Sequence, residues 1–136
     1  MEKQRGLQDI DMLLATAQCG GDQTFLMEIL PELLEEVMLS ITSIDKSIQE
    51  IQLGENIKHH LSIIQAASHT IKGSSSNLAC YYLTQTSKDI NESVKNLQKN
   101  ASIGSVIIIG TLNPLIGELK LAAKSFERTI ESIQSK

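Results

Sequence analysis

One run of residues, His69-Thr70-Ile71-Lys72-Gly73-Ser74-Ser75-Ser76-Asn77-Leu78, combines types that the packing of a helix does not call for. Glycine inside a helix costs about 1 kcal/mol relative to alanine, and three consecutive serines are indifferent helix formers. A locally unfavourable run points to function. At about 100° per residue, the apolar stripe of this segment centres near Leu61, Ile64 and Ile71, and His69 lies about 140° away, facing water. Gly73 and Ser76 share that outer face, while Lys72 sits at its border with the butyl stem able to lean towards the imidazole. A solvent-facing imidazole with a cation one turn away suits a nucleophile that accepts a phosphoryl group, because the lysine neutralises the phosphate once it is attached. Hydrolysis is a poorer match. No carboxylate falls beside His69 to orient it or activate water, and the nearest downstream acid is Asp89. Gly73, with no side chain, lets another protein's backbone come close to the ring. On spacing alone, an ordinary surface histidine beside a tolerated glycine has equal standing.

The remaining chemistry-bearing residues are scattered. Lys88, Asn91, Lys95 and Lys99 recur at steps of three and four opposite Ile90 and Val94, a basic stripe that would attract an acidic partner pocket, although a solvated lysine face is the commoner fate of such spacing. His59 and His60 precede His69 by two turns or more, and consecutive residues do not share a helix face; with Cys80 they lack metal-ligand spacing. Cys19 and Cys80 are too few and too far apart for a disulfide framework and form no C-x-x-C pair. A reducing, cytoplasmic setting is expected, with Cys80 a small buried apolar residue, no metal site and no cofactor of the chain's own.

The elements that must carry these residues are helices. Asp22, after Gly20-Gly21, can cap a helix bearing Phe25, Ile29, Leu33, Val37, Ile41, Ile44, Ile48 and Ile51 at steps of three and four. Gly54 ends it, and Pro31 falls where the stripe passes through in register. Leu26, Leu30, Leu34 and Met38 widen its first half, which the segment Ile10 to Ala17, with Leu13 and Leu14, is expected to cover. Ile57, Leu61, Ile64, Ile71 and Leu78 line a second long helix, and Leu83, Ile90, Val94 and Leu97 a third. Val106 to Ile109 is β-branched, but a lone strand has nothing to pair with, so it is read as the start of the last helix. Asn113-Pro114 would suit the start of a separate one, followed by Leu115, Leu119, Ala122, Phe126, Ile130 and Ile133. The expected fold is all-α, one domain over 1–136: an antiparallel four-helix bundle with helices at about 23–53, 56–79, 81–100 and 104–134, plus a short N-terminal helix at about 8–18.

Composition agrees with that reading. The 136 residues are 41% hydrophobic and 21% charged, with no Trp, two Phe and two Tyr, which suits a folded helical chain rather than disorder or an aromatic-rich sandwich. A net charge of −4 lacks the electrostatic footprint of a nucleic-acid binder. The start MEKQRGLQDI has no apolar signal core, and the most apolar stretch, Ala101 to Leu112, is shorter than the roughly 20 residues that span a bilayer. No membrane partner is expected, and the chain is expected to be a monomer.

The run H-T-I-K-G-S-S-S-N-L resembles the signature of histidine-containing phosphotransfer domains, written roughly H-x-[LI]-K-G-S-[SA]-x-x-[LIF]-G. Gly20-Gly21-Asp22 with Phe25-Leu26 and the Leu/Glu-rich helix beyond is similar to the segment that opens such domains. The resemblance covers about 80 residues, from Gly20 to roughly Leu97. It implies a four-helix bundle whose exposed histidine carries a phosphoryl group between receiver-domain aspartates. By resemblance His69 is the phosphorylated residue, Lys72 the phosphate neighbour and Gly73 the clearance residue, with Ser76, Lys88, Asn91 and Lys95 as supporting surface. The implied partners are response-regulator receiver domains, which bring their own Mg2+, and a hybrid sensor histidine kinase. Two positions depart from the pattern: Ala79-Cys80 replaces the usual Gly-Ala, and Asn91 stands where a Gln is common on the following helix. The alternatives are a non-phosphorylated helical adaptor that binds response regulators, and a phosphotransfer domain cut from a larger hybrid kinase. The chain opens on Met1 and has no kinase or receiver motif, so a stand-alone protein is expected.

Overall fold

The computed structural model describes residues 8–100 and 102–135, and the apolar periodicity is realised there as five helices. They are α1 (Met12–Gln18), α2 (Gln23–Gln52), α3 (Ile57–Asn77), α4 (Tyr81–Gln98) and α5 (Ser105–Gln134). α2 packs on α3 and α5, α4 packs on α3 and α5, and α1 rests against α2. The expected all-α fold, a four-helix bundle with a short N-terminal helix, is the fold observed. Asp22 caps α2 as its sequence predicts, its Oδ1 accepting the Phe25 N–H at 3.0 Å. Asp11 caps α1 in the same way on Leu14, at 3.1 Å. Gly20 and Gly21 make the turn between them at φ of 68° and 83°, a succession that favours glycine at both positions.

Packing shifts several residues from their sequence-based places. A 3.6-residue helix drifts against a strict three-four alternation, so over the length of α2 the inner face rotates. Leu26 and Leu30 take the buried positions at its N-terminal end, while Phe25 stays 47% exposed. Leu13 and Leu14 do not cover that half. They are exposed, while Ala15 is buried and Ile10 and Met12 are partly buried against the core. Asn113-Pro114 starts no helix: α5 runs unbroken through Pro114. Pro114 and Gly110, whose carbonyl loses its usual donor, both lie on the exposed side, where water can satisfy that carbonyl.

α3 ends in a Schellman turn, with Cys80 N–H donating to Ser75 O at 2.9 Å and Ala79 N–H to Ser76 O at 3.2 Å. Ala79, where the resemblance expects glycine, adopts that left-handed conformation at φ 56°, which costs an L-residue about 1–2 kcal/mol. The N-terminal segment holds the turn in place: Asp11 N–H donates to Ala79 O at 3.0 Å and Tyr82 N–H to Gln8 O at 2.9 Å.

Beside this turn two buried groups resist ionisation. Burial, then the charge of Asp9, pushes the Cys80 thiol from 9.0 up to about 12. Burial, then the hydrogen bond that its hydroxyl donates to Glu118 Oε2 at 2.9 Å, pushes Tyr82 from 10.0 up to about 12. Both groups keep their protons more tightly when folded, so their contribution is complete below the unfolded values and is lost as pH rises towards 12. The melting temperature is expected to fall across that window, with a shallower slope in Tyr82→Phe. Parallel slopes for parent and variant would contradict the assignment.

Candidate functional site

α3 presents the candidate residues because its inner face is taken by Leu61, Ile64, Ser68, Ile71 and Ser75, all buried. His69, Gly73 and Ser76 are exposed on the opposite side, and Lys72 is half-buried at the border, as the helical spacing predicts. A Cβ built on Gly73 meets nothing within 4 Å, so the surface beside the histidine is open. Among the described residues the imidazole of His69 makes no side-chain hydrogen bond or ion pair, and no carboxylate is fixed to it.

Two cross-helix contacts set the antiparallel register of α3 and α4: Ser75 Oγ with Thr84 Oγ1 at 2.8 Å, and Asn91 Nδ2 with Ser68 Oγ at 3.3 Å. In that register His69 lies level with Ile90 and Lys72 with Ser87. Of the basic stripe on α4, Lys88 and Lys95 are exposed.

Asn91 is not part of that stripe. It is 2% exposed, and its Nδ2 donates to Gln65 O at 3.0 Å as well as to Ser68 Oγ, so it lies beneath the turn that carries His69. The exposed position between Lys88 and Lys95 belongs to Glu92, which interrupts the positive charge. The sequence expectation fails here because α4 meets α3 on the side where Asn91 falls, and a polar residue there is buried between the helices. Replacing Asn91 by Ala is expected to lower unfolding stability by about 1–3 kcal/mol, because buried groups lose a hydrogen-bond partner. Lys88→Ala should stay within about 0.5 kcal/mol. Urea denaturation of the two variants checks this, and equal losses would contradict the burial.

The serine run also has a packing role that its sequence does not disclose. Ser75 Oγ donates to Ile71 O at 2.6 Å besides meeting Thr84, and Ser74 Oγ donates to Glu36 Oε1 on α2 at 2.9 Å. Only Ser76 stays on the outer face, bonded back to Gly73 O at 3.2 Å. Glu36 therefore ties α2 to the helix of the candidate site, 38 residues away in sequence, and no local signal announces it. His60 accepts no such functional role: its Nδ1 is held by the buried Ser47 hydroxyl at 3.1 Å, and His59 stacks edge-on against it.

The arrangement can present an imidazole nitrogen to an incoming electrophile, place a lysine beside the product and admit a protein surface over Gly73. Comparison with family models, with curated proteins and with solved structures yields no match to this chain.

Proposed function

We propose that the chain is a phosphorelay intermediate that accepts a phosphoryl group on His69 from a receiver-domain aspartate and passes it to another receiver. The observation that carries this reading is the exposed imidazole, with Lys72 one turn on and open space at Gly73. With its proton on Nδ1, the neutral ring attacks phosphorus through Nε2. A P–N bond forms, the P–O bond to the aspartyl group breaks, and the electron pair leaves on the receiver's carboxylate. Return transfer to a second aspartate reverses these bonds. The receiver brings its own metal ion, and the contribution of this chain is to hold the nucleophile where docking aligns the two atoms. Among the described residues no carboxylate is fixed beside His69 to activate water, which favours storage of the group over its hydrolysis. A hybrid sensor histidine kinase would supply the phosphoryl group, in the reducing cytoplasm.

The test is incubation with a panel of phosphorylated receiver domains, asking which lose label to this chain. The label is expected to be acid-labile and base-stable, as a phosphoramidate is. No transfer from any receiver, or label on serine or aspartate, would overturn the proposal. Lys72→Ala is expected to slow transfer several-fold and shorten the phosphohistidine lifetime, since a charge-assisted contact to phosphate is lost. Its stability should change by no more than about 0.5 kcal/mol. Unchanged kinetics and lifetime would remove Lys72 from the phosphate site.

A further inference from the structure

The corner between α3 and α4 is strained and short of local support. Ala79 keeps a left-handed backbone at φ 56°, where glycine would rest without strain, and Cys80, at the N-cap of α4, makes no side-chain cap bond. Strained backbone persists only where surrounding contacts hold it. Here those contacts come from residues 8–11, remote in sequence. Ala79 O accepts the Asp11 N–H at 3.0 Å, and Gln8 O accepts the Tyr82 N–H that the Cys80 side chain does not cap, at 2.9 Å. The segment is itself pinned to α5, because Asp9 Oδ2 accepts from Ser125 Oγ at 2.8 Å and from Thr129 Oγ1 at 2.7 Å.

The corner in turn closes the end of α3. Cys80 N–H reaches Ser75 O and Ala79 N–H reaches Ser76 O, and both bonds require the left-handed backbone at Ala79. Ser75 continues inward, its Oγ donating to Ile71 O at 2.6 Å. The turns that are held this way carry Gly73 and Ser76, which are exposed with His69 on one face.

We infer that residues 8–11 form a latch on this corner, through which the N-terminal segment controls the surface beside His69. Docked, the latch holds Ala79 left-handed and the end of α3 wound. Released, Ala79 relaxes to a right-handed backbone, its carbonyl turns away, and the two closing bonds part, so the last turn of α3 frays. The strain at Ala79 supplies the bias towards release, and the hydrogen bonds of the latch oppose it. A glycine at position 79 would keep the corner without help; alanine makes the corner depend on the segment. The consequence for transfer rests on the phosphorelay reading, because a receiver that aligns its aspartate with His69 needs an ordered surface over Gly73 and Ser76.

Amide hydrogen exchange of the full chain, read residue by residue by NMR, tests the latch without any phosphoryl donor. In Asp9→Ala the amides of Ser75 to Asn77 and of Cys80 are expected to exchange about tenfold faster than in the parent, while those of Leu61 to Ile64 keep their rates. Ser125→Ala removes one of the two hydroxyls on Asp9 and should give a smaller change of the same pattern, which keeps the test open if Asp9→Ala does not fold. Adding Ala79→Gly to either variant should bring exchange back to within about twofold of the parent, since the corner then needs no latch. Transfer from a phosphorylated receiver at saturating concentration should slow about fivefold in Asp9→Ala and recover in the double variant. Parent-like exchange in both single variants would overturn the inference, as would faster exchange spread evenly along α3, or a defect that Ala79→Gly leaves in place. Transfer at the parent rate in a variant with a fraying α3 end would overturn the control of the site. A parent chain that takes no label from any receiver would overturn the relay reading instead, and exchange alone would then decide the latch.

Discussion

His69→Gln is expected to take up no label from any phosphorylated receiver domain that labels the parent chain, while unfolding at the parent temperature. The side chain is exposed and makes no side-chain hydrogen bond or ion pair among the described residues, so glutamine removes the nucleophile without breaking either kind of interaction. The loss should be complete rather than graded, because among the described residues no other imidazole lies on that face. His59 and His60 lie more than two turns away, and His60 is engaged with Ser47. Autoradiography after transfer, beside a thermal melt, measures both quantities. Label retained by the variant, on His59 or His60, would show that the assignment of His69 is wrong.

The second large effect concerns Gly73, whose contribution is the absence of a side chain. A Cβ at this position meets nothing within 4 Å, so Gly73→Gln begins without a clash and gains helix propensity of up to about 1 kcal/mol. The melting temperature should hold or rise. The same side chain stands one turn from His69, where a receiver must approach, and obstruction worth about 1.4 kcal/mol would reduce docking tenfold. Stability and transfer are thus expected to move in opposite directions, which neither a packing role nor an accidental glycine would produce. Transfer at the parent rate in the folded variant, or a melted bundle, would show that the partner does not bind over this face.

Much of this was legible in the sequence because it depends on intervals within one helix. The outward placement of His69, Gly73 and Ser76, the border position of Lys72, the cap at Asp22 and the burial of Cys80 all follow from local periodicity and chemistry. Helical geometry is the same wherever the helix packs, so residues three and four apart stay neighbours. What depends on how helices meet was not legible. Asn91 turned from a surface polar residue into a buried clamp beneath the His69 turn, and Ser74 and Ser75 became cross-helix ties to Glu36 and Thr84. Phe25 and the Leu13-Leu14 pair stayed in water, and α5 ran through Asn113-Pro114 without a break. The sequence by itself determined that the chain forms amphipathic helices and which side of α3 bears the histidine. The tertiary structure alone decided which polar residues lie between helices, because a helix buries polar groups according to the register and rotation of its neighbours, and those are set by packing over the whole bundle.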